Sequence, residues 1–153
     1  MDVPWLTVVA ALPLIGALVV RALPAALARV TALVASLLPL AAVAVMVTRF
    51  DVSRAGEHQF VERYAWIPSF GVSYALGVDG VGLTMIGLSV VLVPICVLAG
   101  WREVDGDRAR GFLALVLLTE TFMVGVFAAR DVFLFYVLFE AMLIPMYFLI
   151  GVY

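Results

Sequence analysis

Two carboxylic acids lie inside long apolar stretches of the chain, where an ionisable group is unusual. Glu120 follows Phe112 by eight residues, and Glu140 follows Val132 by eight residues. At about 1.5 Å per helical residue, each acid lies ~12 Å into a hydrocarbon core about 30 Å thick. An ionised carboxylate in such a core costs roughly 2.5–3.5 kcal/mol on an insertion scale. Each acid therefore needs protonation, a cationic partner or contact with an internal water path.

Both acids have a chemical and a structural interpretation. A buried carboxyl that exchanges its proton near neutral pH can belong to a proton pathway. A neutral carboxyl that only hydrogen-bonds a neighbouring helix would explain the same residue. The sequence makes Glu140 and Glu120 proton-pathway candidates, and they lie at similar depth if their helices form an antiparallel hairpin. Whether they face one another depends on the rotation of each helix, which the sequence leaves open.

Pro145 strengthens the case for Glu140. A proline inside a helix leaves the carbonyl four residues earlier, here that of Ala141, without its usual donor. The helix break thus lies beside Glu140 in the sequence. Freed backbone in a membrane helix is tolerated where waters or neighbouring helices satisfy it. This arrangement favours an ion-translocating site, although a packing kink would also account for Pro145.

We expect membrane-spanning helices to position these acids, because the composition of the chain is typical of a membrane protein. Hydrophobic residues make up 66% of the 153 residues, charged residues make up 13%, and the mean hydropathy is +1.20. Soluble domains carry about 25% charged residues. Five apolar stretches of nearly bilayer-spanning length predict an all-α membrane protein with one membrane domain. We expect its helices at about 5–20, 30–47, 81–100, 112–129 and 132–153.

One long connection, 48–80, separates the second and third helices. It is charged at first and then aromatic and rich in turn residues, which suits a membrane interface. Its apolar residues alternate, which predicts a short strand or hairpin, at Phe70, Val72, Tyr74 and Leu76. Asp79 and Asp131 precede apolar stretches and are predicted to be helix N-caps.

The composition also excludes several classes of site. Cys96 is the single cysteine and is expected to be a small buried hydrophobe, and His58, the single histidine, lies in the polar connection. A disulfide scaffold or a metal site needs more such residues. The chain has no flavin or dinucleotide loop, no iron–sulfur framework and no haem ligand pair. A net charge of −2 without a basic cluster argues against nucleic acid as a partner.

The fifth apolar stretch has a specific sequence. The segment DVFLFYVLFEAMLIPMYFLIG, from Asp131 to Gly151, closely resembles the subunit M family of bacterial NADH–quinone oxidoreductase, respiratory complex I, whose mitochondrial counterpart is subunit 4. The segments from Trp66 to Gly80 and from Gly125 to Asp131 resemble the family's connection into its third helix and its turn between helices four and five.

This resemblance implies the N-terminal part of an antiporter-like, proton-translocating membrane-arm subunit, which couples electron transfer from NADH to quinone to proton transport. The chain would act as a subunit of an enzyme, a translocase, without redox catalysis of its own. In the family, the glutamate matching Glu140 pairs with a lysine on a later helix, and this chain contains no lysine. We therefore expect the chain to be truncated relative to the full family length. No position of the family motif corresponds clearly to Glu120.

The resemblance also implies where the remaining components are. NADH, FMN, the iron–sulfur clusters and quinone belong to other subunits, and no cofactor is expected in this chain. Its partners would be other membrane-arm subunits and the lipid bilayer, in a bacterial cell membrane. Two alternatives remain open: a subunit of a related cation/proton antiporter or membrane-bound hydrogenase, and a structural membrane scaffold in which the acids only pack.

Overall fold

Five helices and one β-hairpin make up the part of the chain that the computed structural model describes, residues 5–50, 53, 56–57, 59–67, 69, 71–100 and 107–152. In order they are α1 (Trp5–Ala22), α2 (Ala25–Arg49), β1 (Gln59–Ile67), β2 (Val72–Val78), α3 (Gly80–Ala99), α4 (Asp107–Ala128) and α5 (Val132–Val152). Each helix is long and apolar enough to cross a membrane. The predicted fold class, an all-α membrane protein with a hairpin in its long connection, is confirmed.

Two helices start earlier than hydropathy predicts. The connection expected at 21–29 is mostly helical, since α2 begins at Ala25, directly after Pro24. α4 begins at Asp107, five residues before the expected start at 112. Alanine and arginine favour helix whether or not lipid surrounds them. A helix can therefore begin before the most apolar part of its sequence.

The first four helices form an antiparallel bundle, and α5 packs on its outside against α4 and β2. Only 11% of α5 is buried, against 33% to 39% of the other four helices. The bundle holds two separate apolar clusters. The cluster nearer the hairpin includes Leu6, Val9, Val43, Met46, Ile86, Val90 and Val124. The cluster farther from it includes Ala17, Val20, Ala32, Ala35, Val97, Leu113 and Leu117.

The hairpin pairs β1 with β2 in antiparallel register, with Glu62 opposite Leu76. Gly71, with a φ of 68°, supplies the positive backbone angle that the turn needs. A bulge interrupts the pairing between Gln59 and Glu62, and Phe60 within it has a φ of 56°. Tyr74 and Leu76 lie in β2, so the strand that the alternating pattern predicts is confirmed. Phe70, the first residue of that pattern, lies outside the described residues.

Charged side chains close several helix ends. The Asp79 carboxylate accepts from the Gly82 amide at 2.8 Å at the start of α3. The Asp131 carboxylate accepts from the Phe133 and Leu134 amides at 2.9 and 3.2 Å at the start of α5. Both predicted N-caps are therefore confirmed. Beyond the last turn of α1, the Arg110 guanidinium donates to the Leu23 carbonyl at 3.2 Å, where a cation complements the helix dipole.

Candidate functional site

Glu120 and Glu140 lie at the same distance from the hairpin side of the bundle. Glu120 is eight residues before the end of α4, and Glu140 is eight residues after the start of α5. Those two helix ends are adjacent, so each acid is ~12 Å along its helix from the same side. The two helices thus bring the acids to a common depth. Their surroundings differ completely.

Glu120 is enclosed by the bundle. Its side chain is 0% exposed, on the stripe of α4 that also buries Leu117 and Val124. Neither carboxyl oxygen has a hydrogen-bond partner among the described residues. A buried polar group without a hydrogen-bond partner costs about 1–3 kcal/mol in proteins, and a buried ion without one costs more. The Glu120 carboxyl therefore needs a proton, or a partner that this part of the chain does not supply.

Arginine does not supply that partner in the described part of the chain. The arginines whose side chains the structure describes all lie in connections or within five residues of a helix end: Arg21, Arg29, Arg49, Arg108, Arg110 and Arg130. Glu120, in contrast, is in the middle third of α4. Of the three ways to accommodate a membrane carboxyl, the enclosed position of Glu120 leaves protonation and internal water.

Glu140 lies on the exposed side of α5. Tyr136 and Tyr147, which are 60% and 72% exposed, are four residues before it and seven after it and so share its helix face. Leu134 and Pro145 are buried on the other side of the helix. A carboxyl and two phenols thus form a polar stripe on an otherwise apolar, unburied helix surface. Polar groups on such a surface are costly in lipid, so the stripe suits contact with protein or water.

Pro145 does not interrupt α5, which is helical from Val132 to Val152. The proline is buried, whereas Glu140 is exposed and Ala141 is half-buried. The missing backbone donor therefore lies on the side of α5 that packs, about 140° around the helix from Glu140. The Ala141 carbonyl that loses this donor is beside Glu140 in the sequence but lies on a different face of the helix.

Glu62 is a buried acid whose role the sequence does not reveal. Only 7% of it is exposed, and its carboxylate accepts from the backbone amides of Leu6 and Thr7 at 3.0 and 3.1 Å. It also accepts from the Thr7 hydroxyl, which contacts the Tyr74 hydroxyl at 3.0 Å. The first helical amides have no partner within their helix. Glu62 thus caps α1 from 55 residues away in the chain. No local sequence pattern predicts a cap at that separation.

The described residues do not assemble a set of metal ligands. Among the residues that the structure describes, no three or more His, Cys, Asp or Glu side chains are grouped so as to hold a metal ion. His58 lies outside those residues. Cys96 is exposed on α3, so the expectation that it is buried is wrong. As a small apolar side chain it suits a lipid-facing helix surface equally well.

Comparison with known proteins finds similar chains. The chain is 40% identical to NADH-quinone oxidoreductase subunit M of Mycobacterium tuberculosis, over 98% of this chain and 32% of that protein. It is 38% identical to NADH-ubiquinone oxidoreductase chain 4 of Arabidopsis thaliana, over 92% of this chain and 29% of that protein. Over nearly its whole length, the chain is similar to subunit M and chain 4. No protein-family model matches it.

The match extends beyond these two relatives. NAD(P)H-quinone oxidoreductase chain 4 1 of Picosynechococcus is 34% identical over the whole of this chain and 29% of that protein. The chain thus spans about a third of the length of the curated relatives it matches. The resemblance first noted in the segment around Glu140 is confirmed, because the likeness to subunit M and chain 4 covers nearly the whole chain.

Proposed function

We propose that this chain is part of a proton-translocating membrane-arm subunit of NADH–quinone oxidoreductase, in which Glu140 is a proton-pathway residue. The likeness to subunit M and chain 4, over nearly the whole chain, supports this function. The redox steps take place on NADH, FMN, iron–sulfur clusters and quinone in other subunits. This subunit contributes proton transport, so it is part of an enzyme without carrying out redox catalysis.

The exposed position of Glu140 is the structural observation that supports its role. In the full-length subunit, which is about three times longer in the curated relatives, further helices cover the stripe of Tyr136, Glu140 and Tyr147. A cation on one of those helices pairs with the carboxylate. A change in that pairing alters the free energy of the ionised form, and the proton is taken up or released. The α1–α5 part holds one member of this pair at a fixed depth.

The subunit works within a bilayer and a larger assembly. Five helices able to span a membrane make it a multi-pass membrane protein, and we place it in a bacterial cell membrane. Its partners are the neighbouring membrane-arm subunits. The related antiporter and hydrogenase functions are less favoured, because the relatives named above are all quinone oxidoreductase chains.

The substitution Glu140→Gln in the assembled complex tests this function. Gln keeps the size and polarity of the side chain but cannot bind and release a proton. Membrane vesicles are supplied with NADH, and proton uptake is followed with a pH-sensitive dye. We expect normal assembly with proton uptake strongly reduced or lost.

Two further variants make the result specific. Glu140→Asp keeps an ionisable group and should restore part of the proton uptake. Cys96→Ser changes an exposed residue of another helix and should pump normally. Full proton uptake by assembled Glu140→Gln complex would reject the assignment and favour the scaffold alternative.

A further inference from the structure

We propose that Glu120 is the proton-binding group of an internal water site enclosed by α1 to α4, separate from Glu140. The water and the proton are held together at mid-membrane depth, out of contact with lipid. The existence of this site does not depend on the function proposed above. Only its contribution to proton transport rests on that function.

Glu120 lies where the apolar core of the bundle is interrupted. The two buried clusters are distinct, and Glu120 is between Leu117, in the far cluster, and Val124, in the cluster near the hairpin. Buried residues of α1 and α2 fall in the same interval between the clusters. They are Pro13, between Val9 and Ala17, and Ser36 and Pro39, between Ala35 and Val43.

The close approach at Gly16 fixes the relative heights of these residues. A Cβ at Gly16 would lie 2.5 Å from the Ala35 Cβ and 3.5 Å from the Leu117 side chain, so α1 meets both α2 and α4 there. Both neighbours run antiparallel to α1. One turn towards the hairpin therefore leads from Gly16 to Pro13 and from Leu117 to Glu120. The proline ring of α1 and the carboxyl of α4 are at the same level of the core.

The prolines remove backbone donors in this part of the bundle. Pro13, Pro39 and Pro94 each lack an amide hydrogen, so the carbonyls of the residues four positions earlier lose their usual donor. Those residues are themselves 7% exposed or less, namely Val9, Ala35 and Val90. In a membrane, such carbonyls must find donors from neighbouring groups or from water.

Among the described residues, the buried serine hydroxyls at this depth already donate within their own helices. Ser36 and Ser89 are buried, and their hydroxyls donate to carbonyls of their own helices, those of Leu33 at 2.7 Å and Met85 at 3.0 Å. A deprotonated Glu120 would add two more acceptors and no donor. The interior therefore has more hydrogen-bond acceptors than donors. The additional donors must come from a proton on Glu120 or from water.

Protonated Glu120 with a bound water supplies donors to two of these acceptors. The carboxylic acid supplies one O–H donor, and a water supplies two more while accepting from the acid. A buried water is stable when it has two to four polar partners, and the carboxyl and the freed carbonyls provide them. Proton exchange then takes place between the Glu120 carboxyl and the water, without a charge in contact with lipid.

Infrared difference spectroscopy on the assembled complex with full-length subunit tests the site. We expect a carbonyl stretch of a protonated carboxylic acid that shifts in D2O, because the enclosed proton exchanges through the water. The band should be lost in Glu120→Gln and kept in Glu140→Gln. Thr119→Val is the control, since the neighbouring Thr119 hydroxyl bonds only its own helix, to the Leu115 carbonyl at 2.8 Å.

A second measurement distinguishes a wet site from a dry one. If Glu120 only fills a dry core, Glu120→Leu should raise the thermal stability of the complex, because apolar packing replaces a buried polar group. If it holds a water, Glu120→Leu should lower stability more than Glu120→Gln, because freed carbonyls lose their donors. A band unaffected by Glu120→Gln, or a stabilised Glu120→Leu complex, would overturn the site. Loss of pumping in Glu140→Gln bears only on the proposed function.

Discussion

Replacing Glu62 with Gln should loosen the start of α1. The Glu62 carboxylate accepts from two backbone amides, those of Leu6 and Thr7, and from the Thr7 hydroxyl. Both amides donate to one carboxylate oxygen and the Thr7 hydroxyl donates to the other. Gln can therefore keep the amide bonds, but it loses the acceptor of the hydroxyl bond and the charge that complements the helix dipole. Hydrogen bonds to charged groups contribute about 1.5–3 kcal/mol each. We take the loss of one as the expected effect, because only 7% of the side chain is exposed and screening by water is weak.

Hydrogen exchange reports this loss locally. A change of 1.5–3 kcal/mol in the opening free energy accelerates exchange roughly 10- to 150-fold, at tenfold per 1.4 kcal/mol. The measurement is made by mass spectrometry on peptides that cover the first two turns of α1, in the assembled complex. Glu57→Gln is the matched control, since it removes the same charge from an exposed position of the same connection. Its exchange in α1 should be unchanged.

The result can refute the reasoning directly. If Glu62→Gln accelerates exchange in these peptides less than about threefold, under ~0.7 kcal/mol, the charged carboxylate of Glu62 does not stabilise the start of α1. Tyr74→Phe refines the answer, because it removes only the hydroxyl 3.0 Å from that of Thr7. We expect it to have a much smaller effect than Glu62→Gln.

Two further substitutions test packing and capping. Gly16→Ala should lower the thermal stability of the full-length subunit in detergent by about 1–3 kcal/mol, because its Cβ would lie 2.5 Å from the Ala35 Cβ. Gly87→Ala, where a Cβ meets nothing within 4 Å, should be neutral or slightly stabilising, and equal effects would contradict the close approach. Asp131→Ala should cost about 0.5–2 kcal/mol, seen as faster exchange of the Phe133 amide, and unchanged exchange there would rule out the cap.

Local signals in the sequence predict the helices and their caps correctly. Apolar stretches of bilayer length give five helices, and Asp79 and Asp131 stand directly before two of them. These features depend on a few consecutive residues, so they can be read without tertiary information. The starts of α2 and α4 are less accessible, because a hydropathy pattern describes the solvent and not the backbone. Helical residues that flank the most apolar part of a stretch look like connections in the sequence.

The orientation of the two membrane acids is not accessible in the same way. An apolar helix that is hydrophobic on every side carries no stripe from which its rotation can be read. Equal depth for Glu120 and Glu140 follows from counting residues, whereas enclosure of one and exposure of the other follows from packing. The same limit applies to Glu62, whose partners on α1 lie 55 and 56 residues away.

The hairpin connects these separate observations. Glu62 on β1 holds the start of α1, and the Ala75 carbonyl on β2 accepts from the Arg130 amide at 2.8 Å, just before α5 begins. The starts of α1 and α5 are therefore fixed to the same hairpin on one side of the bundle. Glu140 is eight residues from that point, so its depth is set within this chain. The face of α5 that carries Glu140 is open to a partner. The Glu120 carboxyl lies at the same depth but is enclosed, so its proton and hydrogen-bond partners must be found inside the bundle.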